Sequence, residues 1–196
     1  MVFYDPDYAP DAFEVRVSEL LVATPDGADD LIDASVTEVL RMVLEHLRMD
    51  VVFVSEFCEG RRVFRRVETK PEARVIEPEQ SSPLEESFCQ RVIDGRLPRL
   101  VHNVGALPNF DELPPTDFSI GAHLSTPIVL ADGRVYGTLC CFSFAPNGQL
   151  TQRDLKKLEV SAQLAAKKIN LRRARDAEQA MANWALEPHL PPPRLR

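Results

Sequence analysis

No stretch of this chain approaches the roughly 18 consecutive apolar residues that a membrane-crossing helix requires, and no membrane partner is expected. The opening MVFYDPDYAP lacks the basic-then-apolar order of a secretory leader, so the expected location is the cytoplasm. Excess positive charge is also missing: 23 Lys and Arg stand against 30 Asp and Glu, a net charge of -7. Nucleic acid is bound by Lys and Arg that displace phosphate counterions, so a surface of the opposite sign argues against such a partner. The local clusters Arg61-Arg62, Arg65-Arg66 and Arg172-Arg173-Ala174-Arg175 have acidic residues interspersed nearby and read as solvated faces. Cysteine is sparse. Cys58, Cys89, Cys140 and Cys141 show no Cys-x-x-Cys and no Cys/His ligand spacing, so neither a zinc site nor a disulfide framework is indicated. No internal repeat is present.

What is there suits one folded domain. The 196 residues are 44% hydrophobic and 27% charged, the balance of a globular protein. Residues 1–28 read as an irregular lead-in with a short helix over 13–22, broken at Thr24-Pro25-Asp26-Gly27. From Asp29, apolar residues including Val36, Val39, Leu40, Val43, Leu44 and Leu47 recur at three- and four-residue spacing, which predicts an amphipathic helix. VVFVSEF comes next, then the turn Glu59-Gly60 and the alternating run Val63, Arg65, Val67, Thr69, which together predict a hairpin. Ser82-Pro83-Leu84-Glu85 combines a hydroxyl N-cap, a first-turn proline and a Glu, and predicts a helix from there to Ile93 with Gly95 as its left-handed cap.

An extended segment over 97–104 precedes the long loop GALPNFDELPPTDFS, of the kind that forms binding lids. Strands over 120–130 and 134–144 are joined by the hairpin signal Ala131-Asp132-Gly133. The last helix starts at the capping box Thr151-Gln152-Arg153-Asp154 and carries Leu155, Leu158, Ala162, Ala165 and Ile169 on one side. The domain is bounded at 29–170, with 171–196 as a helix end and a proline-rich tail. This order of elements predicts an α+β fold. A central antiparallel sheet has the N- and C-terminal helices on one face and a helix plus long loop over the other.

Strand parity divides the sheet residues. One set, Val52, Val54, Ala122, Leu124, Thr126, Ile128, Leu139 and Cys141, is nearly all apolar and suits packing on helices. The other set is Phe53, Ser55 and Phe57 with His123, Ser125 and Pro127 and with Thr138, Cys140 and Phe142. It mixes rings with hydroxyls, an imidazole and a thiol, the composition of a ligand pocket. It reads equally as a small core whose polar groups bond to backbone. Cys140 and Cys141 point to opposite faces and are poorly placed to chelate one metal.

The segments SFCQRVIDGRLPRLVHNV and IGAHLSTPIVLADGRVYGTLCCFS resemble the corresponding half of GAF domains. The resemblance implies a regulatory module that binds a small molecule between the sheet and the covering helix and pairs through its terminal helices as a homodimer. It also implies service to a signalling output domain. On it, His123 and Ser125 occupy ligand-contacting strand positions, and Phe88, Cys89 and Val92 come from the covering helix. Phe110, Asp111 and Phe118 either close the pocket or anchor the loop. Cys89 itself, a lone thiol on an apolar helix face, reads as an inert small hydrophobe. No catalytic residue, metal or particular cofactor is assigned.

Two alternatives stand beside sensing. A free-methionine-sulfoxide reductase uses cysteines around the same pocket, but the Cys-Gly helix start and a resolving cysteine in the loop are missing. A dimerisation scaffold would have its pocket filled by Phe53, Phe57, Phe88 and Phe142. A bilin photoreceptor is disfavoured because the loop before Ile120 lacks an attachment cysteine.

Overall fold

The computed structural model describes residues 12–22 and 29–185. The sequence expectations for the breaker at 24–27 and for the proline-rich tail lie outside the described residues. Helix α1 (Ala12–Val22) is followed by α2 (Asp29–His46), strand β1 (Val51–Cys58) and strand β2 (Arg61–Thr69). Then come β3 (Ser81–Pro83), α3 (Phe88–Ile93), β4 (Leu100–Val101), β5 (Ala122–Val129), β6 (Val135–Ser143) and α4 (Gln152–Ala185). The strands form one antiparallel six-stranded sheet in the order β3-β2-β1-β6-β5-β4.

Each face of the sheet is covered for a reason visible in the residues. Val52, Val54, Leu124, Ile128, Leu139 and Cys141 stand on one face and meet Leu40, Val43, Leu158 and Leu164 of α2 and α4. Burying each such aliphatic side chain stabilises the fold by about 1.5–3 kcal/mol relative to leaving it in water. Phe53, Phe64, Cys140 and Phe142 form the core of the opposite face with Cys89 of α3. Parity in β1, β5 and β6 is therefore as the sequence predicts. The α4 capping box also forms, Thr151 N–H donating to Asp154 Oδ2 at 2.8 Å. The helix then runs unbroken to Ala185, so a boundary at 170/171 falls inside α4.

Strand β2 departs from simple alternation. Val54 pairs with Arg66 but Ser55 pairs with Phe64, leaving Arg65 as a bulge. One surplus residue reverses the facing of its neighbours toward the Gly60 turn, so Phe64 and Arg62, rather than Val63, stand on the face shared by Phe53, Ser55 and Phe57. Arg65 instead donates from Nε to Glu56 Oε2 at 2.7 Å.

Three local expectations are corrected. Ser82 does not cap a helix: it pairs with Arg62 in β3, and its hydroxyl accepts from Arg62 Nη2 at 2.9 Å. Edge-strand pairing has taken the group that cap chemistry would use. Ser87 is the N-cap, accepting from the Gln90 N–H at 3.1 Å, so α3 is six residues long, and Gly95 closes it at φ +78 as predicted. Of the extended segment 97–104 only Leu100–Val101 pairs, because Val104 turns into a 3-10 helix and donates to Gly121 O at 2.7 Å. The long loop is not structureless either. It holds 3-10 turns at Val104–Ala106 and Phe110–Glu112, and Arg91 of α3 donates to the Glu112 carbonyl.

Gly137 lies where β6 crosses β1, and a Cβ there would sit 1.9 Å from the Ser55 carbonyl oxygen. Gly137→Ala is expected to lower the unfolding free energy by about 3 kcal/mol or more in urea titrations. Gly148→Ala, which meets nothing within 4 Å, is expected to change it by less than about 1 kcal/mol.

Candidate functional site

Between the sheet and the cover made by α3 and the loop lies a cavity of about 250 Å³. Strands β1, β2, β5 and β6 supply Phe53, Arg62, Phe64, His123 and Phe142 to its wall, α3 supplies Phe88 and the loop supplies Phe118. The rings are ordered by one another. Phe118 stacks on Phe142 at 5.3 Å between centroids, and Phe53 meets Phe64 edge-on at 4.9 Å. Ser82, Glu86, Ser87, Thr116 and Asp117 add polar groups to this apolar lining.

Two polar side chains in the wall have unfilled hydrogen-bonding capacity. The Arg62 guanidinium lies 4.5 Å from the centre of the Phe64 ring, a cation–π contact, and its Nη1 is 3.8 Å from Cys89 Sγ. Its Nε is buried without a partner. Among the described residues its side-chain partners are Ser82 and Cys89, and no carboxylate forms an ion pair with it. His123 is 2% exposed, its Nδ1 has no partner, and its ring lies 5.6 Å from Phe88. Burial, reinforced by the Arg62 charge, pulls the imidazole from 6.5 down to about 4, so His123 is neutral at pH 7.

Alongside the cavity, between α3 and strands β1, β5 and β6, is a buried cluster of hydroxyls and thiols. Cys140 Sγ lies 2.9 Å from Ser125 Oγ and 3.1 Å from Thr138 Oγ1, and Thr138 Oγ1 lies 2.9 Å from Ser55 Oγ. Cys89 Sγ of α3 reaches to 3.6 Å from Cys140 Sγ. Cys89 does lie on the apolar face of α3 with Phe88 and Val92, as expected, but it is not a lone thiol. The hydrogen bond from Cys140 and then the Arg62 charge favour the Cys89 thiolate, while burial pushes Cys140 up.

Of the residues proposed from sequence, Phe53, Phe88, His123 and Phe142 line the cavity, and Ser55, Cys89, Ser125, Thr138 and Cys140 form the cluster alongside it. Phe57 packs beside the same core without lining the cavity. Val92 belongs to a separate apolar group with Phe88, Leu97, Val101 and Val104. Phe110 is 48% exposed and outside the lining, so of the two loop phenylalanines only Phe118 reaches the site. Arg62 and Phe64 were missed because the bulge at Arg65 reverses their parity.

A larger hollow of about 450 Å³ lies on the helix side, lined in part by Glu56, Arg65, Tyr136 and Arg173. Within it Glu56 is held by Arg65 at 2.7 Å and by Arg173 at 3.7 Å. The smaller cavity, with two polar groups lacking partners, is the better candidate for a site. Among the described residues, no group of three or more His, Cys, Asp or Glu is placed to hold a metal ion, and no helix is long and apolar enough to cross a membrane.

The chain belongs to the GAF domain family, whose model matches residues 33–170. It is 25% identical over 151 residues to a cyclic di-GMP phosphodiesterase of Pseudomonas aeruginosa, a match covering 76% of this chain and 24% of that protein. The chain thus spans about a quarter of the curated relative's length. Its fold is similar to the GAF domain of an Acinetobacter phosphoenolpyruvate-protein phosphotransferase, with a TM-score of 0.63 and 15% identity over 84% of this chain and 97% of that one. It is also similar to the reduced form of fRMsr of Staphylococcus aureus, with a TM-score of 0.59 and 13% identity over 81% and 96% of the two chains.

The state of His123 has a measurable consequence. Its native value lies below its unfolded value, so between about pH 6.5 and 4 the unfolded chain binds more protons, and stability falls as pH drops through that window. His123→Gln is expected to remove up to about 3 kcal/mol of that pH dependence. Urea unfolding of both proteins across the window checks it, and parallel profiles would refute the assignment.

Proposed function

We propose that this chain is a non-catalytic sensory or regulatory module that binds a compact small molecule in the cavity beside His123 and Arg62. The observation that carries this reading is the pairing of two buried side-chain nitrogens without partners, Arg62 Nε and His123 Nδ1, with a lining that includes five phenylalanine rings. Its volume falls below the range of about 300–1,000 Å³ occupied by drug-sized ligands. The favoured ligand therefore has a small apolar or aromatic body and one polar or anionic group to meet Arg62. The cavity also supports binding over a filled dimerisation scaffold. The likeness to part of a cyclic di-GMP phosphodiesterase supports service to a signalling output domain, and free thiols suit the cytoplasm.

Thermal-shift and native mass spectrometry screens with compact aromatic acids, amino acids and cyclic nucleotides test the reading. A compact acid is expected to raise the melting temperature, and Arg62→Gln is expected to weaken it about tenfold or more, as loss of one charge-assisted hydrogen bond implies. Absence of any stabilising ligand across the panel would count against sensing.

Dimerisation through the terminal helices belongs to the same proposal. Helix α4 is 34 residues long, and Met181 and Trp184 near its end are 71% and 80% exposed. Light scattering is expected to give a dimer that Trp184→Glu shifts toward monomer. A strictly monomeric wild type at micromolar concentration would remove this part. The fold likeness to fRMsr and the proximity of Cys89 to Cys140 favour one alternative, reduction of free methionine sulfoxide. Turnover abolished by Cys89→Ser would replace the sensory reading with it.

A further inference from the structure

The thiols of Cys89 and Cys140 lie 51 residues apart in the chain, on the covering helix and on a central strand, yet their sulfurs are 3.6 Å apart. Cys141, adjacent in sequence, belongs to the helix-side core, and Cys58 is exposed at the end of β1. Two of the four cysteines are thus selected as a pair by fold alone. Their surroundings are polar for a protein interior. Ser125 and Thr138 hydrogen bond to Cys140, Ser55 Oγ is 4.0 Å from Cys89, and the Arg62 guanidinium reaches Cys89 from β2. A structural cysteine in apolar surroundings is inert, whereas a cation at hydrogen-bonding distance favours the nucleophilic thiolate.

We propose that Cys89 and Cys140 form a modification site, a dithiol that a small hydroperoxide oxidises to a disulfide joining α3 to the sheet. The Cys89 thiolate attacks one peroxide oxygen, the O–O bond breaks, and the departing alkoxide takes a proton to leave as alcohol or water. Cys89 is then a sulfenic acid. The Cys140 sulfur attacks the Cys89 sulfur, the S–O bond breaks, and the leaving hydroxide takes the Cys140 proton as water. The two thiols lose two electrons in all, and the hydroperoxide gains them. Both sulfurs are buried, so the peroxide would have to enter past Arg62, which is part of the cavity wall and a neighbour of Cys89. The six-residue α3 is the short element that must shift to bring the sulfurs together. The bond would clamp α3, whose Phe88 lines the cavity, to the sheet, so oxidation and ligand entry would act on one element. The chemistry holds whether or not the cavity binds a ligand.

The experiment uses the full chain carrying Cys58→Ser, treated with hydrogen peroxide in the folded state. Intact mass is expected to fall by about 2 Da, two hydrogens, and to recover with dithiothreitol. Peptide mapping should show Cys89 joined to Cys140, and Cys141→Ala should leave the product unchanged. Cys140→Ala is expected to stop at a Cys89 sulfenic acid that dimedone traps, which keeps a readout on Cys89 without the disulfide. Arg62→Gln should slow oxidation about tenfold at pH 7, with recovery in Arg62→Lys or at higher pH. A bond to Cys141, or an unchanged mass with dimedone-silent Cys89 in folded protein, would overturn the proposal. Equal rates with and without Arg62 would overturn Cys89 as the attacking sulfur.

Discussion

The register between β1 and β6 is the constraint on which both faces of this domain depend. Phe53 opposite Cys140 and Ser55 opposite Thr138 build the sheet face under α3, while Val52 opposite Cys141 and Val54 opposite Leu139 build the seat of the helices. A slip of one residue would exchange the two sets and set polar groups against α2 and α4. The chain guards this register at both ends. At one end Gly137 lets the Ser55 carbonyl approach where no side chain fits. At the other, Asp50 accepts from Lys70 Nζ at 2.6 Å and from the Phe144 N–H at 2.8 Å, fastening β2 and β6 to the start of β1.

With that frame in place, the chemistry of the pocket side comes from what the frame leaves over. The helix side packs aliphatic side chains of α2 and α4 on the sheet and, at its margin, holds Glu56 between Arg65 and Arg173. The pocket side is covered by a short helix and a loop, elements too small to close over the whole sheet. Rings fill most of the remaining space. Arg62, His123 and the hydroxyl–thiol cluster stand among them; the cluster satisfies itself, whereas Arg62 Nε and His123 Nδ1 are left without partners, a cost the fold carries on this side.

Much of this was legible in the sequence where periodicity is strong. The stripe of α2, the capping box of α4, the hairpin at Gly133 and the alternation in β1, β5 and β6 each carry their own local signal, and they sufficed for the α+β order and for His123 and Phe142. Ser82 misled because a serine before a proline serves a helix start and an edge strand equally well; only its arginine partners across β2 decide between them. Arg62 and Phe64 were hidden by a bulge that leaves no mark in the residue pattern. The meeting of Cys89 with Cys140 is a long-range contact, set by how α3 lies on the sheet rather than by any spacing.

The bulge bears on more than facing. Eight residues of β1 lie against nine of β2, and the turn at Glu59-Gly60 and the anchor at Lys70 each impose their own count on the strand between them. Arg65 absorbs the difference. Removing Arg65 would leave the same side chains facing the cavity, but removing Phe64 would carry Arg65 into its place opposite Ser55 and put a second arginine in the wall. The polarity of this pocket is therefore exposed to changes in chain length, and a single-codon deletion could redraw it without any substitution.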